Sequence, residues 1–309
     1  MATRAQIERS KKSGVFIKGV PFKLKRLSKS KLKQHDGCPR AFWFSQVLGR
    51  KEYFPPSTLA NFTRGNAVHR LHEHFLKYFA NNPYLIRENP DGFIKEYFTP
   101  LLDKTPYPEY VRGLMLWEMK RWKRYQDMQS AGLIFDAVKY FLPIILPDGK
   151  PAVELKIYSE KLDWVSIIDS AFWLPPNPKK KETEDKILIV DDKTGKHNPA
   201  YYSPLRMELT FMWRVAKELN IFGKTPELTS IFWPLSQDVL LLKPGKVQFK
   251  ALDRRVDRLD HSIKHDIWPC QPGTDLRWSP CKWCPHSDIC PRDLNEDYRF
   301  PAQLELTSF

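Results

Sequence analysis

Apolar positions first separate the chain into a helical half and a strand-rich half. From Leu59 to about Phe79, the residues Phe62, Val68, Leu71, Phe75, Leu76 and Phe79 recur at helical spacing, and Asn81-Asn82-Pro83 ends the run. Ser28-Lys29-Ser30 predicts the cap of a helix through Leu32 toward Phe44. Residues 109 to 130, rich in Trp and Met, predict a further helix. The pattern then changes period. Ala152 to Ser159 and Leu162 to Trp173 read as paired strands, and Pro175 to Asp185 as a polar loop. Lys186 to Val190 is a short apolar strand ending on Asp191. A helix near Leu205 to Leu219 follows, then a strand pair, Leu228 to Leu235 and Val239 to Lys250, around Pro244-Gly245. Ala251 to Asp266 is helical. The order helix, three strands, helix, strands predicts an α/β core, a mixed sheet with helices packed on it.

Composition narrows the partner. The 309 residues carry a net charge of +14, which favours a polyanion, because each Lys or Arg that meets a phosphate releases counterions. Residues 1–33 hold eleven Lys or Arg and one acid, Glu8. No apolar run reaches membrane-spanning length, and the first residues lack the apolar core of a secretory signal. The expectation is a soluble, intracellular, cytoplasmic protein with no membrane partner.

The candidate chemistry sits on the apolar strand. Asp191 ends it, and Lys193, two residues on, points to the same side of an extended chain. Hydrolysis of a phosphodiester needs a nucleophilic water, charge neutralisation and a stabilised leaving oxygen, all of which a carboxylate-held divalent metal supplies. Mg²⁺ keeps several waters, so two or three protein oxygens suffice. Asp169, in Trp164-Val165-Ser166-Ile167-Ile168-Asp169, is the second carboxylate, in a setting where an unpaired charge is costly. Asp192 faces the other way, leaving its backbone carbonyl as a possible metal ligand. His69 is a candidate ligand through a neutral imidazole nitrogen. His72 shares its helical face, but no Glu lies between them in the zincin pattern. Glu154 and Glu208 are weaker candidates.

Five cysteines in a chain this long do not make a disulfide scaffold. Cys281, Cys284 and Cys290 offer three thiolates from one loop, and Cys38 a fourth. Four thiolates hold either zinc, usually as two Cys-x₂-Cys pairs, or an iron–sulfur cluster, and a three-plus-one set whose isolated Cys precedes an aromatic run fits 4Fe–4S better, with zinc as the alternative. Joining residue 38 to 281 costs on the order of 5 kcal/mol in loop closure, so the expected role is a structural clasp. Cys270 is left as a free thiol.

In motif order these residues resemble the RecB-type nucleases of the PD-(D/E)XK superfamily, in the iron–sulfur branch of CRISPR-adaptation exonucleases and the AddB nuclease domain. Leu27 to Leu32 with Cys38-Pro39-Arg40 match its opening, and Gly65-x₃-His69 its helix histidine. Asp169, Asp191-x-Lys193 with Thr194-Gly195, and the cysteine triplet complete the match. The chain departs from the family at Ser166-Ile167-Ile168, where Gly is usual before the strand Asp, and at Glu208, where Gln is usual. The resemblance implies a restriction-endonuclease-like core with a helical insertion and an iron–sulfur clasp between the N- and C-terminal regions. It divides the chain into a basic arm (1–27), a helical region with Cys38 and His69 (28–150), a nuclease core (151–266) and a cysteine segment with tail (267–309). It implies metal-dependent hydrolysis of DNA, from single-stranded ends, with Asp169 and Asp191 holding Mg²⁺ or Mn²⁺, His69 completing the site, Lys193 assisting the water and Glu208 beside it. Protein partners in repair, CRISPR adaptation or viral DNA processing are left open. A non-catalytic or zinc-stabilised DNA-binding scaffold is the rival reading.

Overall fold

The computed structural model describes residues 22–54, 56–177, 182–195, 197–269, 284–286 and 290. The chain divides into two compact units, Asn61–Phe249 and the two ends, Met1–Ala60 with Lys250–Phe309. No helix among the described residues is long and apolar enough to cross a membrane.

In the terminal unit, α1 (Lys29–Gly37) starts at Ser28, whose hydroxyl accepts from Lys31 N–H. The expected single helix toward Phe44 is instead broken at Cys38, which is extended and precedes Pro39. Proline disfavours helical geometry in the residue before it, and it starts a new helix well. Accordingly α2 (Pro39–Phe42) restarts there and passes into a π-helical turn, Trp43–Val47.

The larger unit holds most of α3 (Pro56–Asn81), then α4 (Pro83–Glu88), α5 (Phe93–Leu102), α6 (Pro108–Ser130) and α7 (Ala137–Phe141). Its strands are β1 (Val153–Ser159), β2 (Trp164–Leu174) and β3 (Lys186–Asp192), then β4 (Leu228–Trp233) and β5 (Asp238–Leu242) after α8 (Tyr202–Leu219). Strands β1, β2 and β3 are antiparallel, β3 and β4 parallel, β4 and β5 antiparallel. A parallel pair needs a crossover, and α8 supplies it. This is a central mixed sheet flanked by helices, a mixed α/β architecture.

Strand alternation sorts the two faces. On one, Val153, Phe172, Val190 and Phe232 join a core with Phe75, Phe79, Phe98, Leu114, Trp122 and Phe141 from the helices. Trp117 stacks on Phe232 with ring centroids 4.0 Å apart. On the other, α8 packs against β1, β2 and β4, and its fully buried Phe211 stacks on Trp164 at 4.6 Å. Burying one such ring contributes roughly 1.5–3 kcal/mol.

The last expected strand was too long. β5 stops at Leu242, and α9 (Lys246–His265) begins where Val239 to Lys250 was read as extended. The hairpin turn lies at Pro234–Gln237 rather than Pro244-Gly245. Pro244-Gly245 leads into the helix, where Gly245 N–H donates to the Gln248 side chain.

Candidate active site

Two short structural devices bring the candidate residues together. The first is Gly65 on α3. A Cβ there would sit 3.2 Å from Thr194 Oγ1, so the missing side chain lets α3 approach the turn after β3. One turn on, His69 is carried to the strand ends. The second is register: Ser170 pairs with Val190, so Asp169, one step further along antiparallel β2, lies level with Asp191.

His69 Nδ1 lies 3.5 Å from Asp169 Oδ2 and 3.9 Å from Glu154 Oε1. Their donor atoms all fall within 4.8 Å of one another, a partly exposed N,O,O set of a kind that divalent cations take. Burial works against a charge on His69, but Glu154, Asp169, Asp192 and Asp191 together raise its pKa. Glu154 has φ +50, a left-handed backbone that costs a non-glycine residue on the order of 1 kcal/mol or more and that recurs at functional sites. Sequence reasoning ranked it low, and alternation along β1 gives no hint of that turn of the backbone.

Beside this set, Lys193 Nζ lies 2.6 Å from Asp191 Oδ2 and 3.3 Å from Glu208 Oε2. Asp191 and Glu208 are buried. Burial disfavours the ammonium, yet Asp191, Glu208 and Asp169 raise the Lys193 pKa far above its ordinary value. Lys193 is thus held as the ammonium between Asp191 and Glu208. The Lys193 N–H donates to Phe232 carbonyl at 2.9 Å, which fixes the backbone at the strand end.

Asp192 does face away, toward the helical layer. Its N–H donates to Asp169 Oδ2 at 2.8 Å. Its carboxylate meets His72 Nδ1 at 2.5 Å, and His72 Nε2 meets Glu118 Oε1 at 3.0 Å. Arg121 closes the chain on Glu118 at 2.7 Å. His72, Asp192 and Glu118 are all buried. Burial would strip the charge from His72, but Asp192 and Glu118 overcome it and push its pKa up to about 10. The opposing cations, His72 for Asp192 and Arg121 with His72 for Glu118, hold both carboxyls below their ordinary values despite burial. This relay was missed in the sequence. Its one trace is an acid on an apolar stripe, Val111, Leu114, Glu118, Trp122, Tyr125, at helical spacing.

Of the four cysteines, Cys281 lies outside the described residues, as does Cys270. Cys38 is buried where α1 gives way to α2. Between Cys284 and Cys290, His286 is buried; its ring packs on Phe44 at 5.2 Å and its Nε2 lies 2.8 Å from Ser45 Oγ. Ser45 also donates to Glu52 at 2.6 Å. His286 thus lies against the helical turn that follows Cys38, inside one compact unit.

With this geometry in view, the profile of the PD-(D/E)XK nuclease superfamily matches residues 26–133. The matched stretch includes Cys38, Gly65 and His69 and ends before the strands that carry Asp169 and Asp191. A superfamily of this kind points to nuclease chemistry with a divalent metal, acting on nucleic acid. No curated protein matches the chain. A solved structure titled "Crystal structure of SSO0001" aligns over 93% of this chain and 95% of its own, at 11% identity and a TM-score of 0.35, a likeness too slight to support any statement about this one.

Proposed function

We propose that the chain is a metal-dependent DNA nuclease that works as an exonuclease on single-stranded ends. The observation that carries this is the convergence of His69, Glu154 and Asp169 beside the Asp191–Lys193–Glu208 group. The donor set fits Mg²⁺ or Mn²⁺: oxygens predominate, one imidazole joins them, and the three residues are partly exposed. His69, Glu154 and Asp169 would hold the ion, with the expected ligands Asp191, whose Oδ2 contacts Lys193, and the Asp192 carbonyl beside them. A divalent ion bound there supplies an activated water and neutralises the phosphate.

The protein residues supply the rest. Lys193 presents a protonated Nζ, which meets negative charge as it develops on the phosphate. Glu208 and Asp191 anchor that ammonium so that it does not swing away. The Asp192 N–H fixes the Asp169 carboxylate, and His72 fixes Asp192. A 4Fe–4S cluster on Cys38, Cys281, Cys284 and Cys290 would act as a clasp within the terminal unit. The return of His286 to Phe44 and Ser45 supports that reading. The positive net charge supports a nucleic-acid substrate.

The test compares end-labelled linear and circular single-stranded DNA with Mn²⁺, Mg²⁺ or EDTA. We expect metal-dependent shortening of the linear strand and an intact circle. Equal loss of the circle would make the enzyme an endonuclease, and no cleavage of either would make the protein a non-catalytic binder. Iron and sulfide analysis of anaerobically purified protein, with zinc measured alongside, decides the clasp: zinc without iron contradicts it.

A further inference from the structure

A second cluster lies just past the Asp-x-Lys turn. His197 Nδ1 is 2.8 Å from Asp238 Oδ2, and its Nε2 is 2.6 Å from the Tyr202 hydroxyl. The His197 ring packs on Trp233 at 4.7 Å between centroids, and Tyr202 lies 6.5 Å from the same indole. Trp233 is buried and forms the floor, whereas His197 and Tyr202 are half-buried. Arg206, exposed and about one helical turn on, holds its guanidinium over the Tyr202 ring, 5.7 Å from its centre.

The position is informative. Phe232 is in register with Asp192, so Trp233 is level with Lys193, and strand alternation puts it on the same side of the sheet as Asp191 and Lys193. Tyr202 precedes Glu208 by six residues on α8, about 9 Å along the helix axis. The cluster therefore lies on the Lys193 side of the sheet, one strand over. The Asp238–His197–Tyr202 contacts lock the ring orientations in advance, so little side-chain freedom remains to be lost on binding. Half-exposed rings with an exposed guanidinium beside them match the two parts of a nucleotide, a π-face and an anion.

We propose that His197, Tyr202 and Arg206 form a nucleotide subsite that stacks on one unpaired base of single-stranded DNA and holds the neighbouring phosphate. The identity of the substrate rests on the nuclease reading above; the subsite itself rests on the ring geometry. Inside duplex DNA the bases are paired and stacked on both faces and present no free face to it.

Anisotropy in EDTA tests this with two labelled strands of equal length, one carrying ordinary bases and one abasic throughout. The wild-type chain should bind the ordinary strand more tightly. Tyr202→Leu keeps bulk but removes the π-face, and should weaken the ordinary strand about tenfold while changing the abasic strand less than about twofold. Arg206→Ala, on an exposed side chain, should weaken both strands alike and lower the salt slope by about one. The proposal is overturned if the wild type does not distinguish the strands, or if Tyr202→Leu leaves the ordinary strand unaffected or weakens both equally. Base-dependent binding through Tyr202 in a chain that never cleaves would refute the nuclease reading and leave the subsite standing. Cleavage by a chain indifferent to Tyr202 would do the reverse.

Discussion

Replacing His72 with alanine should destabilise the larger unit severely, and the size of the loss follows from its contacts. His72 is 3% exposed and sits between two buried carboxylates, Asp192 and Glu118. Glu118 retains Arg121 when the imidazole is gone, but Asp192 is left as a buried carboxylate without its cation. Removing one member of a buried pair costs about 3–5 kcal/mol. For a unit of this size each kcal/mol moves the midpoint by roughly 2–4 °C, so a drop of about 10 °C is expected at pH 7. Thermal unfolding followed by circular dichroism reads it. The pH dependence carries a definite sign. His72 has its pKa raised to about 10, so its contribution is fully present below its ordinary value of 6.5 and is lost as pH rises through about 10. The gap between wild type and variant should therefore narrow from pH 7 toward pH 10. Asp192→Asn in the His72→Ala background should recover part of the loss, because it removes the orphaned charge. A variant melting within about 2 °C of wild type at pH 7 would show that the buried relay does not exist as described.

Three other outcomes follow from single contacts. Glu154→Gln should weaken Mn²⁺ binding about tenfold or more in a calorimetric titration, with little change in melting, since one charged oxygen leaves a half-exposed site. Gly113→Ala on α6 should cost about 1–3 kcal/mol in urea unfolding, because the new methyl would run into the Pro234 carbonyl, in the turn that Gln237 ties to the Gly113 carbonyl at 2.8 Å. Cys38→Ser should lower both iron content and melting temperature of anaerobically purified protein while the isolated change of a buried thiol to a hydroxyl, tested in cluster-free protein, moves melting far less.

The core sheet was legible because its strands are apolar runs of ordinary length bounded by turn residues, and Lys186 to Val190 announced itself in that way. That Asp191 and Lys193 lie on one side of the extended chain follows from period-two alternation, and Asp169 stands out through the apolar setting around it. What failed was local or long-range. The run Val239 to Lys250 contains β-formers on both sides of Pro244-Gly245, and the helix that starts at Lys246 is favoured by its amphipathic continuation to His265. The break at Cys38 comes from one proline acting on its neighbour. The relay from Arg121 to Asp192 joins residues 46 and 120 positions from His72, and no local pattern encodes such a pairing. Glu154 depends on one left-handed residue, which propensity does not foresee.

The most direct measurement is Mn²⁺-dependent cleavage of end-labelled single-stranded DNA by wild type and by Lys193→Ala, each shown to be folded by its melting curve. The account predicts cleavage by wild type that disappears in EDTA, and a loss of at least about a hundredfold in Lys193→Ala with Mn²⁺ binding retained. A folded Lys193→Ala protein that cuts as fast as wild type would contradict it.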